Sequence, residues 1–252
     1  MKKILLLGLA SYVLFGCEPA STQHQLDSKQ LPQLSEIQDV SVKKQTFTDF
    51  ILPLVEASNN DIIEQRKQLL EIRHSFRRDN KLSNSEQQQL KELAELYRVA
   101  LTISPAKQIS QLLVKVDLIP PALVLAQAAN ESAWGTSRFA VEGNNLFGQW
   151  CYKQGCGLVP LNRVEGAYHE VRKFDSVYQS VKAYMLNLNS NPAYQEFQQS
   201  RFEERKSGEL NGQSLASHLT SYSERGEAYV EELQQMMRVN GDLWPIRLDL
   251  TR

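Results

Sequence analysis

The stretch that decides the fold reads Pro121-Ala-Leu-Val-Leu-Ala-Gln-Ala-Ala-Asn-Glu131-Ser-Ala-Trp134-Gly135. Its first nine residues are good helix formers and apolar nearly all round, so the sequence predicts a helix buried on every side, with Pro121 in the first turn. Its alanines let neighbouring helices approach closely. Gly135 is placed to close the helix in a left-handed cap, which puts Glu131 in the last turn, three residues before Trp134. The negative end of the helix dipole and burial beside an indole both disfavour an ionised carboxyl there. A carboxyl that keeps its proton near neutral pH is a proton donor. A Glu near a helix end is more often a solvated side chain, so the surrounding residues must carry the assignment.

Working outward, the rest of the chain is patterned mainly as helices. Ile62, Leu69, Ile72 and Phe76 recur at helical spacing between Asp61 and Phe76. Ser83 and Glu86 form a capping-box signature that opens a helix carrying Leu90, Leu93, Tyr97 and Leu101 on one face. A further helix over about 106–116 ends near Pro120 and Pro121. Only 157–175 alternates like strands; there Glu170, Arg172 and Phe174 are expected on one face of a strand, opposite His169, Val171 and Lys173.

The 252 residues carry 28 basic and 29 acidic side chains, a formal charge of −1, with 42% apolar residues. That balance lacks the basic footprint of a nucleic-acid binder, and the chain is too apolar for disorder. Three cysteines are too few for a disulfide scaffold. Met1-Lys2-Lys3, the apolar run Ile4 to Phe15 and the pair Gly16-Cys17 read as a secretory signal, because the run is shorter than the roughly 20 residues of a spanning helix. Leu14-Phe15-Gly16-Cys17 resembles a bacterial lipobox. The resemblance implies cleavage before Cys17, acylation of its thiol, and, with Glu18 in place of Asp, a place at the outer membrane facing the periplasm. The expected organisation is a signal peptide over 1–16, a Gln-, Ser- and Pro-rich tether over 17–45, a helical region over 46–118 and a catalytic domain over 119–245.

Glu131-Ser-Ala-Trp-Gly135 followed by Gly143-Asn-Asn-Leu-Phe-Gly148 resembles the bacterial β-N-acetylglucosaminidases of glycoside hydrolase family 73, whose motifs run Glu-Ser-x-Trp-Gly and Asn-Leu-Phe-Gly. His169-Glu-Val-Arg-Lys-Phe-Asp-Ser176 is similar to the family's hairpin strand, and Ser221-Tyr222-Ser-Glu-Arg-Gly-Glu-Ala-Tyr229 to its Tyr-Ala-Thr-Asp-x-x-Tyr stretch. Cys151-Tyr-Lys-Gln-Gly-Cys156 with Gly157-Leu-Val-Pro160 is similar to the Bax-like subgroup. The resemblance covers about 120–239.

It implies a mainly α (α+β), lysozyme-like fold with a small β-hairpin lining an extended groove, and cleavage of peptidoglycan glycan strands at N-acetylglucosamine. Glu131 matches the general acid. Tyr222 matches an active-site tyrosine, where its phenol would position water, bond the substrate's acetamido group or steady an oxocarbenium-like state; a core aromatic is the other reading. Trp134, Asn145 and Phe147 fall where the family frames its groove, although Trp134 and Phe147 also suit plain packing.

The second carboxylate departs from the pattern. No acid stands in 157–164, which leaves Glu165 in a turn and Glu170 on a strand. Glu170 is preferred because a strand holds geometry better, with a solvated charge as the alternative for either. With one carboxylate only, the substrate's own acetamido group is the remaining nucleophile. Cys151 and Cys156 can close a small loop in an oxidising compartment. Two cysteines without nearby ligand partners make a poor zinc site, so no metal and no cofactor is expected. A lytic transglycosylase of the same fold and a non-catalytic wall-binding lipoprotein remain as rivals.

Overall fold

The computed structural model describes residues 25–161, 163 and 166–250. The signal segment, Cys17 and Glu165 lie outside the described residues.

Helix α1 runs from Val40 to Asp79, a length of roughly 60 Å at the usual rise. Asp39 caps it by accepting from the Val42 amide at 3.0 Å, and Asn80 closes it in a left-handed conformation. The sequence pattern shows only its second half, because Asn59 breaks the apolar stripe. Asn59 is nevertheless buried: its amide donates to the Ile119 carbonyl at 2.9 Å and accepts from the Ile119 amide at 3.1 Å. A polar side chain can occupy a core position when both its donor and its acceptor are matched.

Helix α2 (Asn84–Leu96) opens with the full Ser83–Glu86 capping box, and α3 (Pro105–Lys115) leads to α4 (Pro121–Ser132). Every residue of α4 from Ala122 to Ala129 is buried, as its all-round apolar surface requires. It packs against α1, against α8 (Gly212–Ala216) and against α9 (Glu227–Val239).

After α5 (Arg138–Gly143), strands β1 (Trp150–Cys151), β2 (Gly157–Leu158) and β3 (Glu170–Arg172) form a small antiparallel sheet in the order β1-β3-β2. Helices α6 (Val177–Ser190) and α7 (Gln195–Glu204) follow, and β4 (Glu209–Asn211) pairs with β5 (Arg247–Asp249). The fold is mainly helical with a small sheet.

The core is continuous, from Leu34 and Phe47 through α4 to Trp244, whose indole donates to Thr48 at 2.8 Å. The N-terminal helical region and the C-terminal half therefore share one interior. The expected tether over 17–45 does not extend that far: Leu34 is buried, Leu26 and Leu31 pack on the core, and Asp27 accepts from Ser176 at 2.7 Å and Gln179 at 2.9 Å. Its Gln- and Ser-rich composition conceals a few apolar side chains, of which Leu31 and Leu34 lie against Gly135. Strand alternation fails as well, since Glu170 and Val171 are both buried and Arg172 is exposed. Among the described residues no helix is long and apolar enough to cross a membrane.

Candidate active site

The end of α4 is built from consecutive left-handed residues. Ala133, Trp134 and Gly135 have φ of 50°, 58° and 77°, so the cap begins two residues earlier than the lone glycine suggests. Left-handed backbone at Ala133 and Trp134 costs about 1–2 kcal/mol each. Trp134 offsets it by packing its ring 5.4 Å from Phe47 and stacking 5.4 Å from Trp244. Ser132 ties the cap together, donating to the Ala128 carbonyl at 2.6 Å and accepting from the Gly135 amide at 2.7 Å. Glu131, immediately before this rigid corner, is half-buried.

Four tyrosines gather around that carboxyl. Tyr222 stacks on Tyr229 with centroids 5.5 Å apart and planes 5° from parallel. Tyr194 stacks on Tyr222 at 6.2 Å and Tyr184 meets it edge-on at 6.3 Å. Each of the four phenols is pushed above its ordinary pKa, first by burial, with the charge of Glu131 adding to the effect. All four therefore remain O–H groups at neutral pH.

Burial likewise raises the pKa of Glu131, while a hydrogen bond from the Tyr229 hydroxyl, the Asn130 side chain and the nearby Arg225 pull it down and Glu232 pushes it up. Arg225 and Glu232 pair at 2.6 Å. The expected direction of the shift holds. Two open depressions border the cluster. One of about 620 Å³ is lined by Ala193, Gln195, Thr220 and Ser221, next to Tyr194 and Tyr222. The other, of about 350 Å³, is lined by Ala129, Asn130, Ala133, Trp134 and Glu232. A separate cavity of about 490 Å³ between α1 and α6 contains none of these groups.

The remaining candidates hold the site up rather than face it. Asn145 is 1% exposed; its amide donates to the carbonyls of Gln149 at 2.9 Å and Arg172 at 2.8 Å, and its oxygen accepts from the amides of Phe147 and Gln149. No donor or acceptor is left for a substrate. Phe147 is buried and stacks on Tyr184 at 3.9 Å. Tyr222 donates its hydroxyl to the Phe147 carbonyl at 3.1 Å, so its proton is committed to the backbone.

Glu170, expected as a second carboxylate, has both oxygens bonded to the backbone. It is 5% exposed and accepts from the amides of Gly155 at 2.9 Å and Gly157 at 2.7 Å, which hold its pKa below the usual carboxylate range. Cys151 and Cys156 form a disulfide across the loop that these amides shape. Glu170 and the two sulfurs lie within 4.8 Å of one another, but both sulfurs are spent in the bridge. The residue that sequence reasoning passed over is Tyr229. Its place in the second tyrosine position of the motif was legible; its bond to Glu131 was not.

The glucosaminidase family, described as mannosyl-glycoprotein endo-beta-N-acetylglucosaminidase, matches residues 106–242, more than half of the chain. The chain belongs to this family. Protein bax of Escherichia coli (strain K12) is 34% identical over 215 residues, covering 84% of this chain and 75% of the relative. No solved structure matches it. The glucosaminidase match begins within α3, ahead of residue 119, in keeping with the shared core. Membership places the chain among peptidoglycan-related glycosidases.

Proposed function

We propose that this glucosaminidase-family chain hydrolyses the β-1,4 glycosidic bond at N-acetylglucosamine in peptidoglycan, with Glu131 as general acid. The observation that carries the reading is a half-buried carboxyl, raised in pKa, on a rigid helix corner among four un-ionised phenols. Glu131 gives its proton to the glycosidic oxygen as the bond to the anomeric carbon breaks and its electron pair leaves with that oxygen. Water adds at the anomeric carbon, and the proton it sheds restores the carboxyl. The oxocarbenium-like charge develops beside aromatic faces and a carboxyl region screened from bulk water.

No second acid is assigned. Among the described residues, Glu170 is committed to backbone amides and Glu232 is paired with Arg225.

The test uses purified peptidoglycan and mass spectrometry of the released muropeptides. The wild type should leave N-acetylglucosamine at the new reducing end, and Glu131→Gln should lower release by about 100-fold or more. Undiminished release by Glu131→Gln would sink the assignment. Anhydro-muramic ends would make the protein a transglycosylase, and binding without turnover a wall-binding protein. We further propose that Cys17 carries the lipid that holds the domain at the outer membrane, facing the periplasm. Support comes from the short apolar run ahead of Gly16-Cys17. Labelled palmitate should enter the wild type and not Cys17→Ser, and envelope fractionation should find the label with the outer membrane.

A further inference from the structure

A hydroxyl has one proton, and the neighbours of Tyr229 determine where it goes. Gln127, fully buried on α4, donates its amide N–H to the Tyr229 oxygen at 2.9 Å. Its carbonyl oxygen accepts the hydroxyl proton of Tyr184, which is itself buried. The Tyr229 oxygen is therefore an acceptor on one side, which leaves its proton for the nearby carboxyl of Glu131, whose pKa the phenol lowers. Gln127 cannot turn over to take that proton instead, because Tyr184 would then lose its acceptor in a dry interior. Tyr222 does not compete, since its proton goes to the Phe147 carbonyl. Gln127 and Glu131 stand four residues apart on α4, one turn above the other on the same face.

We propose that Gln127 is a positioning residue for Glu131, acting through Tyr229. The chain Tyr184–Gln127–Tyr229 turns the phenol proton toward the Glu131 carboxyl, whose Oε1 lies 3.5 Å from the Asn130 amide, and so fixes how that carboxyl is presented to a leaving group. This deepens the general-acid reading and rests on it. The groups that act on Glu131 are Tyr229, Glu232 and Arg225 on α9 and the turn before it, Asn130 on its own helix, and Tyr184, Tyr194 and Tyr222 around it. Of these, Gln127 holds Tyr229 through its amide N–H and Tyr184 through its carbonyl oxygen.

The experiment measures the initial rate of glycan cleavage from pH 4 to pH 9 at low substrate for the wild type, Tyr229→Phe, Gln127→Met and the double variant. An acid must be protonated, so the rate falls as pH rises through the pKa of Glu131. Removing the phenol's bond to the ionised form moves that falling limb upward by about one pH unit, with the maximal rate reduced about tenfold or more. Gln127→Met is expected to move the limb in the same direction, and the double variant to be no worse than Tyr229→Phe. If Gln127 is only a core filler, its variant leaves the limb in place and multiplies the loss of Tyr229→Phe; either result overturns the proposal, as does an unmoved limb in Tyr229→Phe. Should Gln127→Met fail to fold, Tyr184→Phe, which frees the amide to turn, is expected to shift the limb the same way, and no shift overturns the proposal. Glu131→Gln separates the layers. If it stays active the acid assignment itself has failed; if it is inactive while the limbs stand still, only the relay has.

Discussion

Replacing Asp117 by Asn removes one charge from the most heavily paired ionic group in the interior. Asp117 is fully buried and accepts from Arg205 at 2.5 and 2.6 Å and from the Leu118 amide at 2.8 Å, with Arg66 of α1 at 3.4 Å. Arg201 of α7, also fully buried, donates to the carbonyls of Val114 and Lys115 at the end of α3, to those of Asp117 and Leu118 just after it, and to Asn189. Burial pushes Arg201 down to about 10, against the pull of Asp117. Asn keeps the shape and cancels the charge, leaving three guanidinium groups facing one another without a counter-ion.

Breaking a buried pair in this way costs about 3–5 kcal/mol. The side chains of Arg66 and Arg205 are 12% and 26% exposed, so water relieves part of the repulsion and the lower end, about 3 kcal/mol, is expected. For a domain of this size that corresponds to a fall of roughly 6–12 °C in Tm. Urea unfolding followed by circular dichroism measures it, with Arg205→Gln and the double variant completing a cycle. The double variant should lose less than the sum of the singles. A loss under about 1 kcal/mol, or strict additivity, would show that this cluster does not join α1 and α7 to the end of α3.

Other outcomes follow from the site. Tyr222→Phe removes only a hydroxyl spent on the Phe147 carbonyl, so turnover should fall less than about tenfold; a loss of 100-fold or more in steady-state rate would return the phenol to the chemistry. Glu170→Gln should leave turnover nearly unchanged while loosening the Cys151–Cys156 loop, read by hydrogen exchange at Gly155 and Gly157. Because the folded pKa of Glu170 is depressed, its stabilising effect is present above the ordinary carboxylate range and is lost as pH falls below it. The variant should therefore melt earlier than wild type at pH 7, and the difference should shrink toward pH 3. Glu131 runs the other way. Its raised pKa makes the ionised form a cost to the fold at neutral pH, so Glu131→Gln should raise Tm at pH 7 and lose that advantage as pH falls through the carboxylate range. A lower Tm at pH 7 would contradict the burial of its charge.

The chain's local chemistry was enough to place α4, the Ser83–Glu86 cap, the helical character of the molecule and Glu131 at a helix end, because each rests on spacing within a few residues. Family motifs singled out Glu131 and the tyrosine stretch as candidates. What the tertiary structure decided was which groups are satisfied. Asn145, Glu170 and Tyr222 carry the residue types of a working site, yet their hydrogen bonds close on backbone groups supplied from elsewhere in the chain. Tyr229 lies 98 positions beyond Glu131 and Gln127 sits on an apolar run that reads as core, yet folding brings both tyrosine hydroxyls to one amide. A sequence states which atoms can donate and accept. Only the packed chain, by removing water, decides which of them have no other partner.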